Sequence, residues 1–481
     1  MRLSFAWLAL AVVCSAQQPP NILWINVEDQ SAHYGPFIST VAKTPNVDRL
    51  AEEGVKFTRA FVTAPVCSPS RSALITGMYQ TTIGAHNHRS SRSQEAMNYL
   101  AEGVRPLPEI LRDAGYAVFN GGLRSSEIRP GKTDYNFHYD KSLYDGADWR
   151  ERPDGTPFFA QIHLRGGKFR DQRTLGPTEG VHTNGIDPAS VELPPYYPDD
   201  PDIRLDWARY LESIENADWE VGEILARLEE DGLAENTVVF FFTDHGVSHA
   251  RGKQFLYEEG IRVPLIVRGP GIDRDAVRDD LVAHIDVAAE TLRIAGVDFP
   301  NGLEGRPLFG PGSRSREFVV SARDRCDETV ERMRSVRTAR YKYIRNYYPD
   351  RPHMQPNRYK DAKALTKTLR RLHEEGKLNA DQDRIFNPTR PREEFYDLES
   401  DPHELRSLSA DSEHRATLLR HRAILDRWIK ESGDRGETPE SERDYDAEMS
   451  LYLNGRNKTD AGVQTLKANI AQMKKWAAEG K

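Results

Sequence analysis

The stretch Thr237-Val238-Val239-Phe240-Phe241-Phe242-Thr243-Asp244-His245-Gly246 decides the fold. Its run of consecutive apolar residues has no polar face. A strand of this kind must be covered on both sides, as in a mainly parallel sheet flanked by helices. Outward from it, residues 21–27 (NILWINV), 56–62, 116–120 and 158–164 read as further strands, and 47–53, 104–114 and the long, charged, amphipathic 203–230 as helices. Residues 263–267 and 285–295 continue the alternation. Strands separated by helices predict an α/β fold with both sheet faces covered. After Pro311-Gly312-Ser313 the composition shifts. Residues 318–321, 333–338 and 341–346 read as short, partly exposed, Arg-rich strands, 394–398 as another, and 416–432 as a helix. This predicts a smaller α+β unit built on an antiparallel sheet. Residues 350–393 are charged and Pro-punctuated, and read as a surface excursion. The expected organisation is a signal peptide over 1–16, a catalytic domain over 17–312, an antiparallel-sheet subdomain over 313–435 and a helical tail over 436–481.

Composition narrows the function classes. A net charge of -8 argues against a nucleic-acid partner. Arg2, the apolar run 3–13 and the small residues Cys14-Ser15-Ala16 form a signal-peptide pattern, with Gln17 as the mature start and acylation of Cys14 as the alternative. That run is too short to span a bilayer, and no other stretch is apolar enough to do so. The expectation is an exported protein, periplasmic or secreted. Three cysteines provide no disulfide framework. A Cys67–Cys326 disulfide is the bland alternative for the two that outlast the signal.

Two features carry chemistry. In Cys67-Ser68-Pro69-Ser70-Arg71, Ser68 reads as an N-cap and Pro69 as the first helical residue. Cys67 then lies just ahead of a helix N-terminus, where an anionic group is favoured, and Arg71 can fold back over the same spot. Secondly, the first strand ends in Glu28-Asp29 and the buried one in Asp244-His245. Ligands of open α/β sheets bind beyond the carboxyl ends of strands. Mainly oxygen donors favour a hard cation such as Ca²⁺ or Mg²⁺. Each acidic pair taken alone also reads as a solvated strand end.

The Cys-x-Pro-Ser-Arg pattern resembles the type I sulfatases, and the similarity covers nearly the whole mature chain. The resemblance implies an alkaline phosphatase-like fold with a large, mixed, mostly parallel sheet. It implies oxidation of Cys67 to formylglycine (3-oxoalanine) by a separate maturation enzyme. It implies one divalent ion, Ca²⁺ before Mg²⁺, on Glu28, Asp29, Asp244 and His245. Glu28 stands where Asp is commoner in the family, and His245 where Asn is. Lys253, in Gly252-Lys253-Gln254, and Lys132, in Gly131-Lys132-Thr133-Asp134, match the family's sulfate-binding lysines, the second after an insertion over 121–130. Asp134 stands where a His is common, and Lys168 where the usual catalytic His falls; His163 reads as structural. Tyr396-Asp397-Leu398 with the following Asp401-Pro402-His403-Glu404-Leu405 resembles the C-terminal signature. The stretches around Pro194, Lys132 and Arg334 look closest to heparan N-sulfatase-like bacterial enzymes.

The resemblance implies a sulfatase acting on sulfate esters, or N-sulfates, of sulfated oligo- or polysaccharides. Arg71, Lys132, Lys168 and Lys253 would clamp the sulfate. Lys253, Lys168 or His249 would protonate the leaving group, with Asp134 as a candidate base for regenerating the aldehyde. Arg323, Glu328 and Arg334, in a dense charged stretch, are candidate sugar contacts, as are Tyr347, Tyr348 and His353; solvated edge charges are the bland reading of that stretch. Two other functions stay open on the residues: a metal-dependent phosphatase or phosphodiesterase, and an exported sugar-binding protein with a dead site.

Overall fold

The computed structural model describes residues 19–481 except 40, 125, 172–181, 184 and 456–458. The signal-peptide expectation over 1–16 lies outside the described residues. The main sheet contains β1 (Asn21–Val27), β2 (Val55–Phe61), β3 (Ala117–Arg124), β4 (Glu127–Pro130), β5 (Phe158–Leu164), β6 (Thr237–Thr243), β7 (Arg262–Arg268), β8 (Ala276–Arg278) and β9 (Val282–Ala283). Its order is β4-β3-β5-β1-β6-β7-β2-β8, with β9 also on β2. The centre, β3-β5-β1-β6, is parallel, and β7 runs antiparallel to both β6 and β2. The sheet is thus mixed and mostly parallel. Every residue of β1, β5 and β6 is buried, as their mostly apolar sequences require.

Helices complete the layers: α1 (Pro45–Glu52), α2 (Cys67–Thr76), α3 (Leu107–Asp113) and α4 (Pro201–Glu230). The helix α4 starts on an Asp200 cap with proline at its first position, and buries Trp207, Ile214, Val221 and Leu228. Among the described residues no helix is long and apolar enough to cross a membrane.

The second sheet is antiparallel, in the order β10 (Val319–Arg323), β11 (Met333–Arg337), β12 (Tyr341–Asn346) and β13 (Glu393–Asp397). The helix Arg415–Ser432 packs against it. The expectation of partly exposed strands is corrected here. Every residue of β10 and β11 is buried, arginines included. Residues 350–393 are corrected too. They form helices such as Arg358–Asp361 and Ala364–Glu374 rather than an open excursion. The tail forms two helices, Glu442–Asn454 and Asp460–Ala478.

Candidate active site

The parallel strands β1 and β6 end side by side, with Val27 opposite Thr243. Glu28-Asp29 and Asp244-His245 therefore emerge at one sheet edge. Asp29 adopts a positive φ of 56°, and its backbone N–H donates to the Asp244 carboxylate at 3.1 Å. Asp29, Asp244 and His245 are buried, and each brings one ligand atom within 4.8 Å of the others.

Cys67 opens α2 rather than preceding it. Val66, in extended conformation, takes the N-cap position, and no side chain caps the helix. The expected Ser68 cap is corrected: its hydroxyl instead accepts the backbone N–H of Arg89 at 2.8 Å. The Cys67 Sγ lies 3.0 Å from Lys253 Nζ and 3.2 Å from His245 Nε2. Burial pushes the thiol up, but Lys132, Lys253 and His245 outweigh it and hold it well below its ordinary value. Burial likewise opposes ionisation of Asp29, and Lys253 and His245 reverse the balance. The imidazole of His245 loses to burial but gains more from Asp244, and is raised to about 9.

A ring of cations surrounds this centre. Lys253 Nζ donates to Asp29 at 3.0 Å. Arg71 bridges Glu28 at 3.0 Å and Asp244 at 3.1 Å. Lys132 sits 3.2 Å from Glu28 and 3.1 Å from Asp134. Lys168 contacts the other oxygen of Glu28. Glu28 thus gathers three cations. Lys168 arrives there because the Gly166-Gly167 turn lies against the Asp29 backbone: a Cβ on Gly167 would stand 2.2 Å from the Asp29 carbonyl oxygen. Lys132 arrives because the insertion over 121–130 folds as a hairpin. It lengthens β3 and returns through β4, delivering Gly131 against the Gly121 backbone.

Other sequence candidates fall elsewhere. His249 is corrected as a proton source for the Cys67 centre. Its Nε2 meets Asp206 at 2.9 Å and its ring stacks on Trp207, away from the cleft around Cys67. Arg334 is corrected as a sugar contact, being fully buried between Asp324 and Asp434. Arg323, also buried, faces Glu331 and Gln254. Tyr347, Tyr348 and His353 do not line the cleft around Cys67. Glu328 does reach it, but its carboxylate accepts the backbone N–H of Arg358 and the side chain of Asn469. His163 is structural: Arg71 and Asn120 occupy its two nitrogens at 2.8 Å each. Cys67 and Cys326 are both free thiols.

The sequence reading missed His88, Arg89, Asp327, Arg358, Tyr359 and Tyr452, all of which line the cleft with Cys67. Tyr359 donates its hydroxyl to Asp29 at 3.1 Å. These residues come from a loop after α2, the connection between β10 and β11, the 350–393 region and the tail. No local spacing joins them; only the density of charge over 323–328 pointed that way.

Sequence comparisons agree with this geometry. A sulfatase family model matches residues 20–297, and the model described as N-sulphoglucosamine sulphohydrolase, C-terminal matches 245–371. An ulvan-active sulfatase of Formosa agariphila is 33% identical over 466 residues, covering 88% of this chain and 77% of that protein. The N-sulphoglucosamine sulphohydrolase of Homo sapiens is 24% identical, covering 89% and 93%. Among solved structures, a 2-O GAG sulfatase superposes with a TM-score of 0.64 at 20% identity, over 90% of this chain and 96% of that one. With the family model spanning more than half of the chain and the ulvan-active relative covering most of it, the chain belongs to the sulfatase family and is a sulfuric ester hydrolase.

Proposed function

We propose that this protein is an exported sulfatase of sulfated carbohydrates, using formylglycine made from Cys67 and one divalent cation, Ca²⁺ before Mg²⁺. The observation that carries the reading is the position of Cys67 Sγ, 3.0 Å from Lys253 and 3.2 Å from His245, in a cleft lined by Lys132 and Lys168. The substrate class rests on the relatives, an ulvan-active sulfatase and an N-sulphoglucosamine sulphohydrolase, and leaves both O- and N-sulfate open. Export rests on the N-terminal sequence pattern.

The donor set fits a hard cation. Asp29 and Asp244 are fully buried carboxylates balanced by Lys253 and Arg71, and His245 beside them becomes a nitrogen donor when the cation displaces its proton. Glu28 stands next to this group. The cation would polarise a sulfate oxygen, and the hydrated aldehyde would supply the nucleophilic oxygen at position 67. The chain's own residues do the rest. Lys132, Lys168 and Lys253 present fixed positive charge to the sulfate oxygens, already ordered by Glu28, Asp134 and Asp29. Arg71 spans Glu28 and Asp244 and fixes both strand ends. Asp134, held by Lys132, is the candidate base for regenerating the aldehyde.

The test is co-expression with a formylglycine-generating enzyme. Mass spectrometry of the Cys67 peptide reads the conversion. Ion chromatography of a panel of sulfated glycans, glycosaminoglycan and algal fragments included, reads released sulfate. Converted protein that acts only on small aryl sulfates would overturn the carbohydrate assignment and leave the ester chemistry standing.

A further inference from the structure

The lysines and arginine around Cys67 are poor sources of a proton for a departing sugar oxygen. Each is bonded to a carboxylate. His163 has both nitrogens occupied and His249 is remote. Among the described residues, His88 differs. It lines the cleft with Cys67, and one of its ring nitrogens lies within 4.8 Å of Cys67 Sγ and of an Asp134 oxygen. Its Nδ1 meets Asp327 at 3.2 Å and Cys326 Sγ at 3.6 Å. Its Nε2 is buried without a hydrogen-bond partner.

We propose that His88, oriented by Asp327, is the proton donor to the leaving group of the sulfate ester. The proposal rests on the reading of the preceding subsection. The arrangement is a carboxylate–imidazole pair beside the reaction centre, with the nitrogen away from the carboxylate unpartnered. It is rigidly built. The His88 backbone N–H donates to the Arg325 carbonyl at 2.9 Å, and Arg325 returns a bond to the His88 carbonyl at 3.0 Å. Asp327 accepts the Tyr452 hydroxyl at 2.8 Å. The nucleophile and the leaving oxygen of an in-line displacement stand roughly 4–5 Å apart, with reacting contacts of about 3 Å. A nitrogen within 4.8 Å of position 67 can therefore lie in hydrogen-bond range of the leaving oxygen.

The proton balance is simple. The bond from sulfur to the sugar oxygen breaks and is replaced by one from sulfur to the oxygen at position 67, which attacks as an alkoxide after its own proton has passed to solvent. The electron pair stays on the sugar oxygen, which takes the proton of His88 Nε2 and departs as a hydroxyl. His88 is left neutral and is reprotonated by water. The charge environment favours the protonated ring. Burial pushes it down, but Cys326 and Asp327 lift it well above its ordinary value. Asp134 faces it across the cleft, with Arg89 and Cys67 as the other ionisable neighbours.

The experiment compares kcat/KM of wild type, His88→Gln and Asp327→Asn on two esters, a sulfated saccharide and 4-nitrophenyl sulfate. Equal formylglycine content is verified by mass spectrometry. His88→Gln is expected to lose about a hundredfold to ten-thousandfold on the saccharide. On the nitrophenyl ester, whose leaving group needs no proton, the loss should be at least tenfold smaller. Asp327, the positioning residue, is read by the alkaline limb of the pH profile, which Asp327→Asn should move to lower pH. A readout independent of turnover is histidine ¹⁵N NMR of the Cys67→Ala protein, where the imidazole signal lost on adding His88→Gln should be protonated at pH 7. Equal losses on both esters, or a neutral His88 at pH 7, overturn the role alone. Wild type inactive on both esters overturns the sulfatase reading and this role with it.

Discussion

On the proposed chemistry, replacing Cys67 by alanine or serine removes the thiol that would be converted to the nucleophile while leaving the folded framework in place. Activity should fall by more than about a hundredfold, read as sulfate release, with an unchanged thermal transition. Residual turnover above that level in Cys67→Ala would exclude the covalent route. The carboxylates make a second prediction. Asp29→Asn and Asp244→Asn each remove a buried charge that Lys253 or Arg71 now balances. Both should lose the bound divalent ion and activity together, with elemental analysis of the purified variants as the check. Two zinc ions per chain in the wild type would point to phosphatase chemistry instead.

At the scale of elements, short connections set positions that the long strands only approach. The Gly166-Gly167 turn presses on the Asp29 backbone and carries Lys168 to Glu28. Gly167→Ala should therefore disturb both, lowering kcat/KM and metal content in one variant; normal metal content would show that the turn serves Lys168 alone. The strand β11 carries a different burden. Arg334 is completely buried and pairs with Asp324 and Asp434. Arg334→Ala leaves two carboxylates without their cation and should cost about 3–5 kcal/mol of stability, measurable in urea, rather than acting as a loss of substrate affinity. In α4, burial raises Glu220 to about 8, only partly offset by Arg124 and Arg165. The folded state then binds more protons than the unfolded state between the ordinary carboxyl value and pH 8, so stability falls as pH rises through that window. Glu220→Gln should flatten the decline of Tm between pH 5 and 8; an unchanged slope would place the titration elsewhere.

The whole molecule closes the cleft from five directions. The main sheet supplies the charged floor and the loop after α2 supplies His88 and Arg89. The connection between β10 and β11 contributes Asp327 and Glu328, and the region after the small sheet Arg358 and Tyr359. The tail completes the wall. Tyr452 bonds Asp327, Asn469 bonds Glu328, and Glu448 pairs with Arg92 at 3.1 Å. Removing residues 442–481 should therefore lower Tm and raise KM for saccharide substrates more than for a small aryl sulfate, compared by steady-state kinetics. An equal effect on both would make the tail a stabilising element only.

The sequence by itself determined the central strands, because residues 21–27, 158–164 and 237–243 are apolar runs that only a doubly covered sheet accommodates. It also determined the acid pairs at two of their ends and the Cys67 motif, because strand ends and helix starts are local features. Tertiary structure alone decided which charges meet. Arg323 and Arg334 read as solvent or sugar contacts until buried acids enclosed them, Glu331 beside Arg323 and Asp434, a hundred positions on, against Arg334. His249 read as a neighbour of Lys253 until Asp206 and Trp207 of α4 drew it away. His88 and Asp327 are 239 positions apart and meet through 3.2 Å of space. Pairings of this kind depend on how separate elements pack, and a one-dimensional pattern holds no term for it.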